Sequence, residues 1–331
     1  MKILVTGGTG FIGSHLVEKL VNQGYDVRVL VRERENSRKE TLGLLKKLGV
    51  KICFGDLRDI KSLEKAVGDV KVVFHLAAIA RPMAIPNKLY FEINEKGTKN
   101  LLGVCKKRKL KKIILMSSVS TVGPSRDGTA VSEKTKCNPV DVYGWSKLAE
   151  EKVAIDFVKK YNLPIIILRP PMVFGPRDFE MLKLFRAVNK RFFPISSDEK
   201  CMEFLYVENL VEACLVAMER GRIGEKYHIS NGEHYSINEI RKAMEKAFGK
   251  KTLPIRFPKF VFVLGGYLLE ISGKIFGFHP PFKHDTINWM TEKFWYSDIS
   301  KAKKELEYIP KISLEAGVKK TAEYYRERGL L

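Results

Sequence analysis

The sequence predicts an α/β protein: a doubly wound parallel sheet with helices on both faces, followed by a smaller C-terminal lobe. Over the first half of the chain, short apolar runs alternate with helical patterns, which is typical of parallel strands joined by helical crossovers. A glycine-rich turn follows the first apolar run and opens a helix. With 331 residues, the chain can bury a large core.

Six apolar runs are predicted as the strands of the sheet, and the helices between them complete right-handed βαβ units. After the sixth run this rhythm weakens and prolines recur, so the later segments are predicted to form the lobe. The predicted strands are Ile3–Thr6, Asp26–Val31, Lys51–Phe54, Val72–Leu76, Lys112–Met116 and Pro164–Arg169.

The first helix opens on a glycine motif that follows a strand directly. Glycines there allow a tight turn and a close approach of the backbone to a pyrophosphate, and the helix N-terminus stabilises the phosphate charge. The motif therefore predicts a dinucleotide-binding sheet domain over residues 1–175, with a return to the sheet near 204–230 (Phe204–Tyr206 and Glu225–Ile229). Residues 176–203 and 231–331 would form the substrate-binding lobe. The cofactor-binding positions predicted from the motif are Gly7, Gly10, Phe11, Ile12 and Gly13.

Arg32 follows the second strand, where the chain meets the adenosine ribose in this fold. An acid at that point favours NAD, whereas an arginine suits the 2′-phosphate of NADP. The sequence therefore predicts NADP as the preferred cofactor. NAD remains the alternative, because Glu33 would serve as the acid if the strand ended one residue later.

Tyr143 and Lys147 lie one helical turn apart and project from one face of a predicted helix. A cation near a phenol lowers the phenolic pKa, which suits a tyrosine that transfers protons at neutral pH. Ser118 follows the fifth strand, at the sheet edge where ligands bind. Its hydroxyl can hold a substrate oxygen, or it can simply cap a turn.

Together these motifs resemble the extended short-chain dehydrogenase/reductases, the NAD-dependent epimerase/dehydratase superfamily, which have a Rossmann fold. The matching motifs extend from residue 3 to about residue 217. Within this superfamily, the chain most resembles members related to the 3β-hydroxysteroid dehydrogenases and dihydroflavonol reductases. Besides the glycine motif and Ser118, Tyr143 and Lys147, the matches are Gly55-Asp56-Leu57, His75-Leu76-Ala77-Ala78, Asn94-x-x-Gly97-Thr98-x-Asn100 and Leu168-Arg169-Pro170-Pro171-Met172-Val173-Phe174-Gly175-Pro176.

The resemblance implies a role for each matched position. Tyr143 would be the catalytic acid/base, Lys147 would lower its pKa and hold the nicotinamide ribose, and Ser118 would orient the reacting oxygen. The remaining cofactor contacts would be Asp56 and Leu57 at the adenine, Leu76, Ala77 and Ala78 along the cofactor, and Pro170 and Val173 at the nicotinamide.

Departures from the family pattern narrow the expected chemistry. Sugar-nucleotide dehydratases carry Asp-Glu after the catalytic hydroxyl residue, whereas this chain has Val119 and Ser120 there. Met172 and Met202 stand where many nucleotide-sugar enzymes have an Asn and an Arg that meet the substrate diphosphate. Methionines form an apolar wall instead, so both are predicted substrate contacts.

The expected function is an NAD(P)-dependent oxidoreductase that interconverts a secondary alcohol and a ketone on a fairly apolar small molecule. A nucleotide-sugar 4-epimerase is the alternative, because it uses the same triad. A non-catalytic cofactor-binding or scaffold protein is the second alternative. The presence of Ser118, Tyr143 and Lys147 together is evidence against it.

Composition bounds the partners less tightly. The net charge of +21 favours anionic partners, but no nucleic-acid-binding module is recognised. The five cysteines are scattered, so neither disulfides nor a metal site is expected and a cytoplasmic location is the default. A single glutamine, Gln23, among many Lys and Glu resembles a thermophile's composition.

Two surfaces are predicted to make contacts. The resemblance suggests a homodimer through the helices Asn87–Lys107 and Gly144–Tyr161. The stretch Phe260–Phe278 has an apolar stripe at helical spacing, expected to pack on the core or line the pocket, with a peripheral membrane contact as the alternative. The stripe consists of Val261, Leu264, Leu268, Ile271 and Ile275.

Overall fold

A computed structural model describes residues 1–33, 39–80, 85–195, 200–256, 264–265, 267–269, 271–273 and 292–331. The strands are β1 Lys2–Thr6, β2 Asp26–Val31, β3 Lys51–Phe54, β4 Val72–His75, β5 Lys112–Met116, β6 Ile165–Arg169, β7 Met172–Phe174, β8 Phe192–Ile195, β9 Cys201–Met202, β10 Phe204–Tyr206, β11 Lys226–His228, β12 Tyr235–Ser236, β13 Leu253–Arg256 and β14 Phe294–Trp295. The α-helices outside the partly described stretch 264–273 are α1 Phe11–Asn22, α2 Lys39–Lys47, α3 Ile60–Val67, α4 Asn87–Tyr90, α5 Thr98–Cys105, α6 Val142–Tyr161, α7 Met181–Asn189, α8 Val207–Arg220, α9 Ile237–Phe248, α10 Ser300–Leu306 and α11 Leu314–Glu327. A π-helix, Phe91–Gly97, joins α4 to α5, and a 3₁₀ turn spans Val119–Thr121.

The main sheet has seven parallel strands in the order β11-β6-β5-β4-β1-β2-β3, which confirms the doubly wound Rossmann fold. Its central strands are apolar and buried along their length, because helices cover both faces. The strand order reverses between β1 and β4. In open α/β sheets, ligands bind at the carboxyl ends of the strands beside such a reversal.

The predicted return to the sheet holds for only one of its two strands. β11 pairs with β6 at the edge of the main sheet. β10 instead pairs with β7 in a separate two-stranded sheet, so that part of the prediction was wrong. Pro170 and Pro171 lie between β6 and β7, and because prolines lack an N–H they end the ladder and direct β7 away from the main sheet.

The later segments build a second apolar core. It contains residues of α7, α9 and α11 together with Phe204, Met202 and Trp295. Of the predicted apolar stripe, Val261 and Ile275 lie outside the described residues. Its other members, Leu264, Leu268 and Ile271, are 57%, 58% and 53% exposed rather than packed on the core. Among the helices of the described part of the chain, none is both long and apolar enough to cross a membrane.

Candidate active site

The turn between β1 and α1 is built around glycines. Gly7 has a φ of +73°, and a Cβ there would lie 2.7 Å from the Ala77 nitrogen, while a Cβ at Gly13 would collide with the Gly7 carbonyl oxygen. Helix α1 begins at Phe11, with Ile12 as its second residue. Gly10 provides no side-chain cap, and the first turn contains no acidic residue. The first N–H groups of α1 therefore suit an anion, and the residues present fit a dinucleotide phosphate.

The predicted adenosine contacts lie at the ends of β2 and β3. Arg32 is exposed directly after β2. A hydrogen bond from Arg58 is the largest cause that lowers the pKa of Asp56, and the charge of Arg32 acts in the same direction. Leu57 is buried, and its carbonyl accepts a hydrogen bond from Asn100 Nδ2 at 3.0 Å. The structure therefore brings Arg32 and Asp56 together at one corner of the sheet.

The loop after β4 is fixed against the glycine turn. The Leu76 nitrogen donates to the Thr6 carbonyl at 3.2 Å, and the Ala77 nitrogen donates to Thr6 Oγ1 at 3.3 Å. Beyond Ala78, Asn94 accepts from the Ile79 nitrogen at 2.8 Å and donates to the Ile79 carbonyl at 3.1 Å. The predicted cofactor loops are thus adjacent and held by side chains as well as backbone.

Ser118 and Tyr143 meet at the carboxyl end of β5. Asp141 caps α6 by accepting from the Gly144 nitrogen at 2.7 Å. Gly144 lets the helix approach closely, because a Cβ there would lie 2.5 Å from the Ser120 carbonyl oxygen. Burial raises the pKa of the Tyr143 phenol, and the nearby Ser118 hydroxyl opposes that rise. Ser118 also caps the 3₁₀ turn: its Oγ accepts from the Ser120 nitrogen at 3.1 Å and donates to Ser120 Oγ at 3.2 Å.

Lys147 lies one turn further along α6 and is 1% exposed. Its ammonium donates to the Met116 carbonyl at 2.7 Å and forms an ion pair with Glu150. The sequence predicts that Lys147 lowers the pKa of Tyr143, and that role remains a prediction; overall, the Tyr143 pKa is raised. Burial dominates, and the negative charge of Glu150 adds to it.

Asn94 joins the cofactor loop to the helix that carries the tyrosine. Its Nδ2 donates to Ser146 Oγ at 2.9 Å, and Ser146 Oγ donates to the Tyr143 carbonyl at 2.7 Å. Neither residue was predicted as a site residue, although Asn94 belongs to a motif quoted above.

Glu150 is the residue that sequence reasoning missed. It is 1% exposed and accepts a hydrogen bond from Thr98 at 3.0 Å. The only signal was spacing: Glu150, Glu151 and Ala154 follow Lys147 at intervals of three, four and seven, which predicts one helix face. An acid on that face is buried beside the lysine.

The predicted nicotinamide and substrate positions lie after β6. The Pro170 carbonyl accepts from the Val119 nitrogen at 3.0 Å, which ties this segment to the turn after Ser118. Met172 and Val173 lie in β7, and Met172 packs against the apolar core that contains Met202, which is 4% exposed. The two methionines therefore share one apolar core.

Comparisons with known proteins place the chain in a family. The profile of the NAD dependent epimerase/dehydratase family matches residues 3–231. Sterol-4-alpha-carboxylate 3-dehydrogenase, decarboxylating, of Mus musculus is 27% identical, over 98% of this chain and 91% of that protein. UDP-glucose 4-epimerase of Vibrio cholerae is 29% identical, over 98% of this chain and 95% of that protein.

Among solved structures, UDP-glucuronic acid 4-epimerase from Bacillus cereus, in complex with UDP-glucuronic acid and NAD, is similar to the chain. The TM-score is 0.79 with 29% identity, covering 99% of this chain and 100% of that one. The profile spans more than half of the chain and includes the glycine turn and both members of the Tyr143–Lys147 pair. The chain therefore belongs to the NAD dependent epimerase/dehydratase family and is an enzyme of the short-chain dehydrogenase/reductase superfamily.

Proposed function

We propose that the protein is an NAD(P)-dependent oxidoreductase that interconverts a secondary alcohol and a ketone on a fairly apolar small molecule. The observation that carries this proposal is that α6 holds Tyr143 and Lys147 at the carboxyl end of β5: the Lys147 ammonium donates to the Met116 carbonyl at 2.7 Å, and Gly144 lets the helix lie against the turn after Ser118. The apolar core against which Met172 packs includes Met202 and also Val119, the residue after Ser118.

Each residue of the triad has a proposed task. The nicotinamide supplies or accepts the hydride when it is bound. Tyr143 gives the proton to the carbonyl oxygen, or takes it from the alcohol, at its phenolic oxygen. Ser118 donates a hydrogen bond to the same substrate oxygen, and Lys147 holds the nicotinamide ribose.

Replacement of Tyr143 tests the assignment. Tyr143→Phe should lower turnover by about 10²- to 10⁴-fold, the range for loss of a general acid/base, with cofactor affinity nearly unchanged. Turnover within a few-fold of wild type would refute the catalytic role. A wild-type protein that binds the cofactor but turns over neither ketones nor nucleotide sugars would favour the non-catalytic alternative.

The proposed cofactor preference rests on Arg32, whose position after β2 and proximity to Asp56 support a 2′-phosphate contact. Arg32→Asp should shift the affinity ratio from NADPH toward NADH by about 10- to 100-fold, the worth of a charge-assisted hydrogen bond. Arg108→Asp makes the same change of charge at an exposed arginine in the loop before β5 and is the matched control. Equal wild-type affinity for both nucleotides would leave NAD, the cofactor of the structural relatives, as the better assignment.

A nucleotide-sugar 4-epimerase is the second candidate, favoured by the epimerases among the relatives. If Met172 and Met202 line the substrate pocket, a diphosphate would be desolvated there with too few donors. Calorimetry on the cofactor-loaded protein should therefore give weak binding of UDP and UDP-glucose and stronger binding of hydrophobic cyclic ketones. Micromolar UDP-glucose binding without ketone turnover would favour the epimerase.

We also propose a homodimer through α6 and the helical stretch from α4 to α5. Trp145 and Tyr161 on α6 are 48% and 40% exposed, which supports an apolar contact there. Light scattering should give twice the chain mass for wild type and a smaller mass for Trp145→Glu. A wild-type monomer at micromolar concentration would contradict the proposal.

A peripheral membrane contact is proposed for the exposed residues Leu264, Leu268 and Ile271. The net positive charge favours an anionic surface. The protein should co-sediment with vesicles that contain phosphatidylserine, and Leu268→Ser should weaken the binding. Equal recovery without vesicles would contradict it.

A further inference from the structure

A buried chain of hydrogen bonds leads from the glycine turn to Glu150. The Ala77 nitrogen donates to Thr6 Oγ1, which lies 2.7 Å from His75 Nδ1. His75 Nε2 lies 2.8 Å from Thr98 Oγ1, and Thr98 donates to Glu150 Oε1 at 3.0 Å. The four side chains are at most 1% exposed, so water does not compete with these bonds.

These hydrogen bonds all run in the same donor-to-acceptor direction, from Thr6 toward Glu150. Thr98 gives its single proton to Glu150, so its oxygen must accept from His75 Nε2. Burial, with help from the charge of Lys147, lowers the pKa of His75 to about 3, and the ring is therefore neutral. A neutral imidazole that donates at Nε2 accepts at Nδ1, so Thr6 donates to it. Every proton in the chain points toward Glu150, which is what an ionised carboxylate requires.

Lys147 approaches Glu150 from the other side. Both are 1% exposed and form an ion pair across one turn of α6, and Lys147 also donates to the Met116 carbonyl. Burial raises the pKa of Glu150, while the charge of Lys147 and the Thr98 hydrogen bond lower it. The carboxylate is thus retained by its cation and its donors against the cost of desolvation.

Other charged and titratable groups face the same pair and Tyr143. Glu151 is next to Glu150 on α6 and acts on it as a like charge. Asp141 at the start of α6 and Tyr90 of α4 act on Tyr143 in the same direction as Glu150. His75 is neutral, so Lys147 is the cation that Glu150 offsets.

We infer that Glu150 is a positioning residue for the proposed reaction: through the ion pair across one turn of α6, it anchors the buried Lys147 ammonium and offsets its charge beside Tyr143. The inference rests on the proposed function. The protonated phenol is the form that gives a proton to a ketone. Without Glu150, the uncompensated Lys147 ammonium would favour the phenolate and move the Tyr143 titration toward neutral pH.

The test follows the ionisation of Tyr143 directly and needs no substrate. The full chain is labelled with ¹³Cζ-tyrosine and titrated by NMR, and Tyr143→Phe assigns the resonance. Glu150→Gln should move the start of the Tyr143 titration about one pH unit toward neutral, the effect expected from loss of a neighbouring like charge. That change is a tenfold rise in acidity.

Two further variants make the result specific. Glu150→Asp keeps the charge but withdraws it from Lys147 by one methylene, so its shift should have the same sign and be smaller. Asp156→Asn removes an exposed charge from the same helix and should leave the titration unchanged. An unshifted or more alkaline titration in Glu150→Gln would overturn the inference. If that variant does not fold, an unshifted Glu150→Asp would overturn it.

The outcome is separate from that of the proposed function. Loss of ketone turnover in every assay would refute the oxidoreductase but leave the titration result standing. An unshifted tyrosine with robust ketone turnover would refute the role of Glu150 alone.

Discussion

Glu150 and Glu151 are neighbours on α6, are equally buried, and face different cations. Glu151 receives two hydrogen bonds from Arg169, at 2.8 and 2.6 Å, and one from Ser117 at 2.5 Å. Burial opposes its ionisation, but the contacts with Arg169 outweigh burial and lower its pKa. At Glu150, burial outweighs Lys147 and the pKa is raised. The ionised form of Glu151 is therefore stabilised by its surroundings, whereas the ionised form of Glu150 is disfavoured by burial even beside Lys147.

The difference separates a structural pair from a site pair. Arg169 cannot lose its proton, so it requires a partner in the core. Lys147 is paired with a carboxyl whose pKa is raised, and it lies one helical turn from the proposed proton-transfer residue. A buried charge that the pair does not fully offset is more typical of functional sites than of structural cores.

The largest effect should be on stability. Glu151→Gln leaves Arg169 charged and buried, and should lower the free energy of unfolding by about 3–5 kcal/mol. Glu150→Gln should cost less, about 2 kcal/mol, because burial already outweighs the pair at Glu150, the Lys147 ammonium still donates to the Met116 carbonyl, and the glutamine still accepts from Thr98. Urea unfolding at pH 7 measures both. Equal losses in the two variants would mean that the Glu150–Lys147 pair is as structural as the Glu151–Arg169 pair.

Glu203 is a third buried carboxyl, and serine hydroxyls rather than a cation oppose the effect of burial on its pKa. Burial raises its pKa to about 7, opposed by hydrogen bonds from Ser230 and Ser297. The folded protein therefore binds an extra proton between about pH 4.5 and 7. The stabilising effect is complete below pH 4.5 and lost as the pH rises to 7, by about 3 kcal/mol from 1.4 kcal/mol per pH unit.

Glu203→Gln should abolish that dependence. The difference in unfolding free energy between wild type and Glu203→Gln, measured in urea at pH 5 and pH 7.5, should change in favour of the variant as the pH rises. A difference that stays constant would mean that Glu203 is ionised throughout.

The smallest expected effect concerns the cofactor. Lys147→Met should weaken binding of NAD by about tenfold, equivalent to about 1.4 kcal/mol, because it removes one charge-assisted contact with the ribose. Lys226→Met is the matched control, since Lys226 pairs with Glu151 rather than with Glu150. Fluorescence titration measures both affinities, and an equal loss in the two variants would place the effect outside the proposed contact.

The sequence predicts the central sheet well because its signals are local. β2, β3 and β5 have the predicted bounds, since short apolar runs flanked by polar residues define parallel strands. It does not predict which strand β10 joins, because pairing depends on where the chain leaves β6. Residue 175 as a domain boundary remains a prediction.

The same contrast applies to the site. Ser118, Tyr143 and Lys147 lie at motif positions, and their catalytic roles remain predictions. Glu150 lies at no motif position, and only helical spacing places it beside Lys147. The path from Thr6 through His75 and Thr98 joins three separate elements, which no spacing in the sequence relates.

The π-helix Phe91–Gly97 determines the relative rotation of two side chains that contact α6. Asn94 within it reaches Ser146, and Thr98 just after it reaches Glu150. A π-helix has about one residue more per turn than an α-helix. Deletion of one residue between Asn94 and Thr98 would rotate Asn94 and everything before it by about 100° relative to α6. Asn94 would then turn away from Ser146 while Thr98 kept its place, so a single missing residue would disconnect the cofactor loop from the helix of Tyr143.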